Sequence, residues 1–135
     1  MNRLHRFIGA SIVTAAVLFA SGARAEKPRL NPALVGEGRI AYRAHCVDCH
    51  GEAGRGDGAA CEALQVRPRN FALETFDKGR KPAEVFATVT AGTGQAMRSF
   101  AELTEEERWG VSYYVLILRA SGRSERAARD AARSE

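Results

Sequence analysis

Two cysteines three residues apart, followed at once by a histidine, constrain this chain more than anything else in it: Cys46-Val47-Asp48-Cys49-His50. On a helix, residues i and i+3 lie about one turn apart on the same face. Both thiols can therefore add to one edge of a single flat ring, and His50 falls beneath its centre. C-x-x-C-H is the attachment signature of a c-type haem, with the thiols on the vinyl groups and the imidazole as proximal iron ligand. A redox dithiol would belong beside a βαβ pattern, and none is visible. Zinc would need four ligands; Cys61 can be added to these three on paper, but no second closely spaced ligand pair exists. The expectation is one haem c, covalently held by two thioether bonds, forming the centre of a small core.

The amino terminus reads as a processing segment. Arg3, His5 and Arg6 form a basic head, Phe7 to Ala20 is apolar, and Ala23-Arg24-Ala25 has the small-x-small form of a cleavage site. Residues 1–25 are thus expected to be a secretory signal peptide. The apolar run is short for a membrane span, so membrane attachment is expected only if this segment is retained. Without it, about 110 residues remain, enough for one small domain. The segment holds Arg3, Arg6 and Arg24 and no acid. The whole chain is +4, and the remainder carries 17 basic against 16 acidic side chains, net +1. No basic stripe with interleaved aromatics occurs, which leaves nucleic-acid binding without support.

The rest of the chain reads as helices and loops. Pro32 after Asn31 starts a helix that runs through Leu34, Ile40 and Ala41 into the cysteine motif. Gly51 to Gly58 (GEAGRGDG) is a loop; it follows a helix and not a strand, so it is a tight turn and not a phosphate cradle. Residues 69–80 look irregular. Pro82 opens a short helix ending before Gly92, and Thr104 with Glu107 forms a capping box at the start of the last helix. That helix carries Trp109, Tyr113, Val115, Leu116 and Ile117 and is expected to fade at Ser121-Gly122. The division is then 1–25 signal, 26–122 one domain, and 123–135 a polar tail, either a solvated helix or disordered.

Beyond residue 25 the chain has a single methionine, Met97, in a loop where Gly92 and Gly94 permit close approach to a ligand. A thioether on the sixth iron position favours ferrous iron and raises the reduction potential. Met97 is the expected distal ligand, with a gap-filling core methionine as the bland alternative. His45 lies on the motif helix and cannot reach the distal side; it is expected at the surface. Cys61 is odd in number and is expected to be a buried small side chain, with an intermolecular disulfide as the alternative. Trp109, Tyr113 and Tyr114 are read as helix-packing residues. Arg55, Arg67, Arg69, Lys78, Arg80 and Lys81 flank the loops and could steer an acidic partner.

The ordered series Gly38-x-x-x-Tyr42-x-x-x-Cys46-x-x-Cys49-His50-Gly51, Gly54-x-Gly56-Asp57-Gly58, Pro68-Arg69-Asn70-Phe71, Gly92-x-Gly94-x-x-Met97-x-x-Phe100 and Leu103-Thr104 with Trp109 and Tyr114 resembles the class I monohaem c-type cytochromes of bacterial electron-transport chains. It covers nearly all of residues 33–120. The resemblance implies an all-α fold, a small cytochrome c-like helical bundle wrapped around the haem, whose first and last helices cross through Gly38, Tyr42 and Trp109. It implies His50 and Met97 as axial ligands and a proline carbonyl, here that of Pro68, as acceptor for the proximal imidazole N–H. It implies an electron carrier and not an enzyme, cycling Fe(III) and Fe(II) in the periplasm, where such haem is attached. The carrier would be free-standing or the cytochrome subunit of a dehydrogenase. Its partners would be redox proteins: a donor dehydrogenase or membrane complex, and an acceptor oxidase or reductase. Two departures stand out: Arg98 follows the methionine where relatives commonly have proline, and Val66 stands where another proline is often found. Arg98 and the two glycines of that loop, Gly92 and Gly94, motivate the alternative of a ligand-binding or sensing haem protein with a labile sixth position.

Overall fold

The computed structural model describes residues 26–76, 79–94 and 96–134; the expected signal segment and Lys78 lie outside the described residues. Helix α1 spans Pro32–His45. The Asn31 side chain accepts from the Leu34 N–H at 2.9 Å, and Pro32 occupies the first turn, where its missing N–H costs nothing. Leu34, Gly38, Ala41 and Tyr42 form its buried face. The backbone bends at Cys46 and continues at once as α2, Val47–His50. A single 3₁₀ turn covers Cys61–Ala63, followed by α3, Pro82–Ala91, and α4, Glu105–Ala132. Among the described residues there is no strand, in agreement with the all-α expectation.

The frame is the crossing of α1 and α4. A Cβ on Gly38 would fall on the Gly110 carbonyl, and one on Gly110 would lie 2.7 Å from the Gly38 nitrogen and 2.8 Å from the Leu34 oxygen. The two backbones touch because neither residue has a side chain. One turn further on, Tyr42 and Tyr114 meet edge to face at 5.3 Å. Trp109, buried at 3% exposure, packs with Leu34 and Tyr113 and stacks on Phe86 of α3 at 4.2 Å. Trp109 therefore joins α3 to the crossing as well as closing it.

The amino end of α4 is fixed by the expected capping box. The Glu107 N–H donates to Thr104 Oγ1 at 3.2 Å, and the Glu107 carboxylate accepts from the Thr104 N–H at 2.8 Å. The helix does not fade at Ser121-Gly122, contrary to expectation. It continues through the alanine- and arginine-rich stretch to Ala132, 28 residues and about 42 Å in all. Of the two readings of the polar tail, the solvated helix is the one the structure adopts over residues 123–132. Gly122 is tolerated because the helix lies close to Ala72 there, and a Cβ would stand 2.7 Å from the Ala72 Cβ. Ion pairs Arg55–Glu125 at 3.1 Å and Arg126–Asp130 at 3.5 Å add small, solvent-screened contributions. Among the described residues, no helix is long and apolar enough to cross a membrane.

Replacing Gly38 by Ala forces α1 and α4 apart along their whole contact, so Gly38→Ala is expected to cost about 3 kcal/mol or more. Chemical denaturation checks this, and an unchanged midpoint would contradict the crossing as described.

Candidate haem site

The bend at Cys46 lets the motif leave α1 while staying in register with it. The Cys46 N–H still donates to the Tyr42 carbonyl at 2.8 Å, and the His50 N–H then donates to the Cys46 carbonyl at 2.8 Å. Tyr42 closes the turn from below, its hydroxyl donating to the Gly51 carbonyl at 2.7 Å. Burial, chiefly, holds the Tyr42 phenol neutral far beyond its ordinary range. Gly51 ends α2 at φ 76°, a conformation that favours glycine, and turns the chain into the loop that follows.

That loop folds back over the motif and not away from it. The N–H groups of Gly56, Gly58 and Ala60 donate to the carbonyls of His50, Cys49 and Asp48 at 2.9, 3.3 and 2.8 Å. The Phe71 N–H donates to the Gly54 carbonyl at 2.8 Å and brings the Phe71 ring onto the His50 imidazole, 4.9 Å away and nearly parallel. Phe71 is in turn held by α4: Arg119 Nη1 donates to the carbonyls of Phe71 and Glu74 at 2.6 and 2.7 Å, and its guanidinium covers the Phe76 ring at 4.7 Å. Arg119 had no functional reading in the sequence, where it looks like one arginine among many.

On the other side, Gly92 at φ 70° and Gly94 at φ 76° reverse the chain after α3. The Thr93 N–H donates to the Met97 carbonyl at 2.9 Å, Ser99 Oγ to the Thr90 carbonyl at 2.7 Å, and the Phe100 N–H to the Val89 carbonyl at 3.1 Å. Met97 is half-buried and packs against the same apolar cluster that contains Cys46, Phe71, Val85, Phe100, Val111 and Val115. Arg98 turns outward instead. It pairs with Glu102 at 2.5 Å and covers the Phe100 ring at 4.1 Å, so its charge is matched locally.

The electrostatics separate the rival readings of the motif. Burial, then the neighbouring Cys49 thiol, push Cys46 up to about 12, with Arg98 opposing. A redox dithiol requires the reverse, a thiol whose pKa is lowered. Zinc would need converging ligands, and among the described residues no group of three or more His, Cys, Asp or Glu side chains converges. A neutral, buried thiol suits addition to a vinyl group. Burial likewise holds the His50 pKa below that of a free imidazole, which keeps the ring neutral and able to ligate. The Arg69 backbone lies beside the ring and opposes that shift, but His50 Nδ1 is buried without a partner in hydrogen-bonding geometry. The Pro68 carbonyl, the acceptor expected from the sequence, lies against Gly56. The Cys46 thiol and the Met97 thioether in one apolar cluster, with an orphaned imidazole stacked on Phe71 of that cluster, fit a haem c.

Comparison with known proteins agrees. A family model described as cytochrome c oxidase, cbb3-type, subunit III matches residues 33–115. The chain belongs to that family of c-type cytochromes. The family implies a haem c and supports a role in electron transfer. Among solved structures, the cytochrome is 32% identical, with a TM-score of 0.65, to a chain of a reducing HAO-like protein complex from Kuenenia stuttgartiensis. The match covers 70% of this cytochrome and 47% of that chain, so the cytochrome spans about half its length. Cytochrome c6 of the diatom Phaeodactylum tricornutum is 29% identical over 65% of this chain and 97% of that one, with a TM-score of 0.49. No curated protein matches the sequence.

Two other sequence expectations meet the structure differently. His45 is exposed, as expected. Cys61 is not an apolar core residue: it is half-buried, and its thiol donates to the Gly56 carbonyl at 2.6 Å, so it ties the loop to itself as a polar group. Gly110 was legible only as part of the helix carrying Trp109, and its pairing with Gly38 needed the crossing to reveal it. Tyr42→Phe keeps the ring packing of the cytochrome but leaves the Gly51 carbonyl without its donor. A loss of about 1–2 kcal/mol is expected in thermal or chemical unfolding, and no loss would show that this bond does not hold the motif turn.

Proposed function

We propose that this cytochrome is a monohaem periplasmic electron carrier, with one haem c attached through Cys46 and Cys49 and ligated by His50 and Met97. The observation that supports this most is the convergence of three distant segments on one apolar cluster: Cys46 from the motif, Phe71 bearing the His50 ring, and Met97 from the loop after α3. When bound, the haem supplies reversible one-electron chemistry at iron. The chain's part is to keep both axial side chains in place through either oxidation state. The hydrogen bonds Thr93–Met97 and Phe100–Val89 on one side, and the stack on Phe71 on the other, are suited to that.

The acceptor for the imidazole N–H that does not face the iron belongs, in this reading, to the Pro68-Arg69 backbone turn that lies beside His50 and Gly56. The labile-ligand alternative was motivated by Arg98 and by two flexible glycines. Arg98 is occupied by Glu102, and the glycine loop is hydrogen-bonded across its base, so a closed iron is favoured. Export by residues 1–25 and residence in the periplasm follow from the form of that segment. Whether the carrier works alone or as the cytochrome subunit of a dehydrogenase, its partners are redox proteins. Membership of a complex in a partial structural relative supports an assembled role.

Ferrous protein purified after co-expression with haem-attachment machinery is expected to show a sharp c-type spectrum that carbon monoxide leaves unchanged. Met97→Leu is expected to lower the reduction potential by on the order of 0.1 V or more and to admit carbon monoxide. Rapid binding by the unmutated protein, or an unchanged potential in the variant, would sink the Met97 assignment.

A further inference from the structure

Helix α4 and the segment just before α3 form an open concavity of about 390 Å³ lined by Arg80, Leu116, Arg119, Ala120 and Arg123. Three of its five lining side chains are guanidiniums and none is acidic. Arg119 is built into the fold at 6% exposure, committing Nη1 to the carbonyls of Phe71 and Glu74. Among the described residues its Nε and Nη2 donate to no protein group, and Arg80 and Arg123 make no ion pair or hydrogen bond.

Four of the eleven described arginines outside the pocket are ion-paired: Arg43 with Glu52, Arg55 with Glu125, Arg98 with Glu102, Arg126 with Asp130. Three like charges around one concavity repel one another, and the two exposed ones could extend into water unless the pocket gained from holding them. Their mutual field is felt: after burial, Arg123 and Arg80 are what push the Arg119 pKa down. Leu116 and Ala120 give the pocket an apolar wall, which excludes water from one side and strengthens charge-assisted hydrogen bonds within it. Guanidinium forks match the paired oxygens of carboxylate and phosphate groups.

We propose that this pocket is an oxyanion-binding site, taking a phosphate or carboxylate group of a soluble small molecule between Arg80, Arg119 and Arg123. It lies outside the motif and the Met97 loop, and it stands whether or not the haem ligands are as assigned.

The test is a titration of the purified holoprotein with inorganic phosphate, and separately with succinate, against sodium chloride at matched ionic strength. The arginine Nε–H resonances are followed by NMR in the reduced state. Saturable shifts confined to Arg80, Arg119 and Arg123 are expected with at least one of the two anions. Saturation by phosphate alone assigns the site to phosphate groups, and saturation by both assigns it to oxyanions generally. Arg119 also holds the Phe71 turn, so the variants are the exposed Arg80→Gln and Arg123→Gln. Each is expected to weaken binding about tenfold, while Arg126→Gln, outside the pocket, leaves it unchanged. Linear, non-saturating shifts with both anions, or equal responses in all three variants, would overturn the proposal.

Discussion

The backbone contact between Gly38 and Gly110 is the constraint from which the rest follows. It sets the distance between α1 and α4, and the motif cysteines sit at the end of α1, two turns beyond that contact. With α1 held against α4, Tyr42 is pressed onto Tyr114, and its hydroxyl reaches the Gly51 carbonyl that closes the motif turn. Cys46 is then delivered into a cluster whose other side is α4 itself, through Val111 and Val115. A side chain at either glycine would spread this error over every later contact, because packed cores transmit displacement and do not absorb it.

The site is assembled from segments with little structure of their own. Residues 51–76 contain one 3₁₀ turn and otherwise rely on three supports: backbone bonds to the motif turn, the polar thiol of Cys61, and Arg119 reaching out from α4. The Arg119 contact explains why α4 carries on past the last apolar residue of the bundle. Its next turns hold the chain that backs His50, and Gly122 lets the helix lie against Ala72. The Met97 side is simpler, a reversal at two glycines whose hydrogen bonds place Met97 against the same cluster. The two sides are thus supported independently, one by α4 and one by α3.

What could be read in the sequence was whatever is local. Pro32 after Asn31, the capping box at Thr104, the start of α3 at Pro82 and the turn chemistry of Gly51 are each decided within a few residues, and all stand where expected. The motif and the one methionine beyond residue 25 point to a candidate ligand set because few side chains can do that chemistry. Long-range pairings were not legible. Nothing near Gly110 says that it meets Gly38, and nothing near Arg119 says that it serves residues 71–76. The end of α4 was misjudged because Ser121-Gly122 is a weak local helix signal, while the stabilising contact with Ala72 is fifty residues away. Cys61 was misjudged because a lone cysteine is usually an apolar core residue, whereas here the Gly56 carbonyl of the loop, and more distantly the Cys49 carbonyl of the motif helix, accept from it.

The central claim is that the chain carries one haem, joined to Cys46 and Cys49 and to no other thiol. Intact-mass measurement of the purified protein, followed by fragmentation of its haem-bearing peptide, tests it most directly. The account predicts one haem per chain on the peptide containing Cys46 and Cys49, with Cys61 free to react with a thiol reagent. A haem-free mass with three alkylatable thiols, or a haem attached through Cys61, would contradict it.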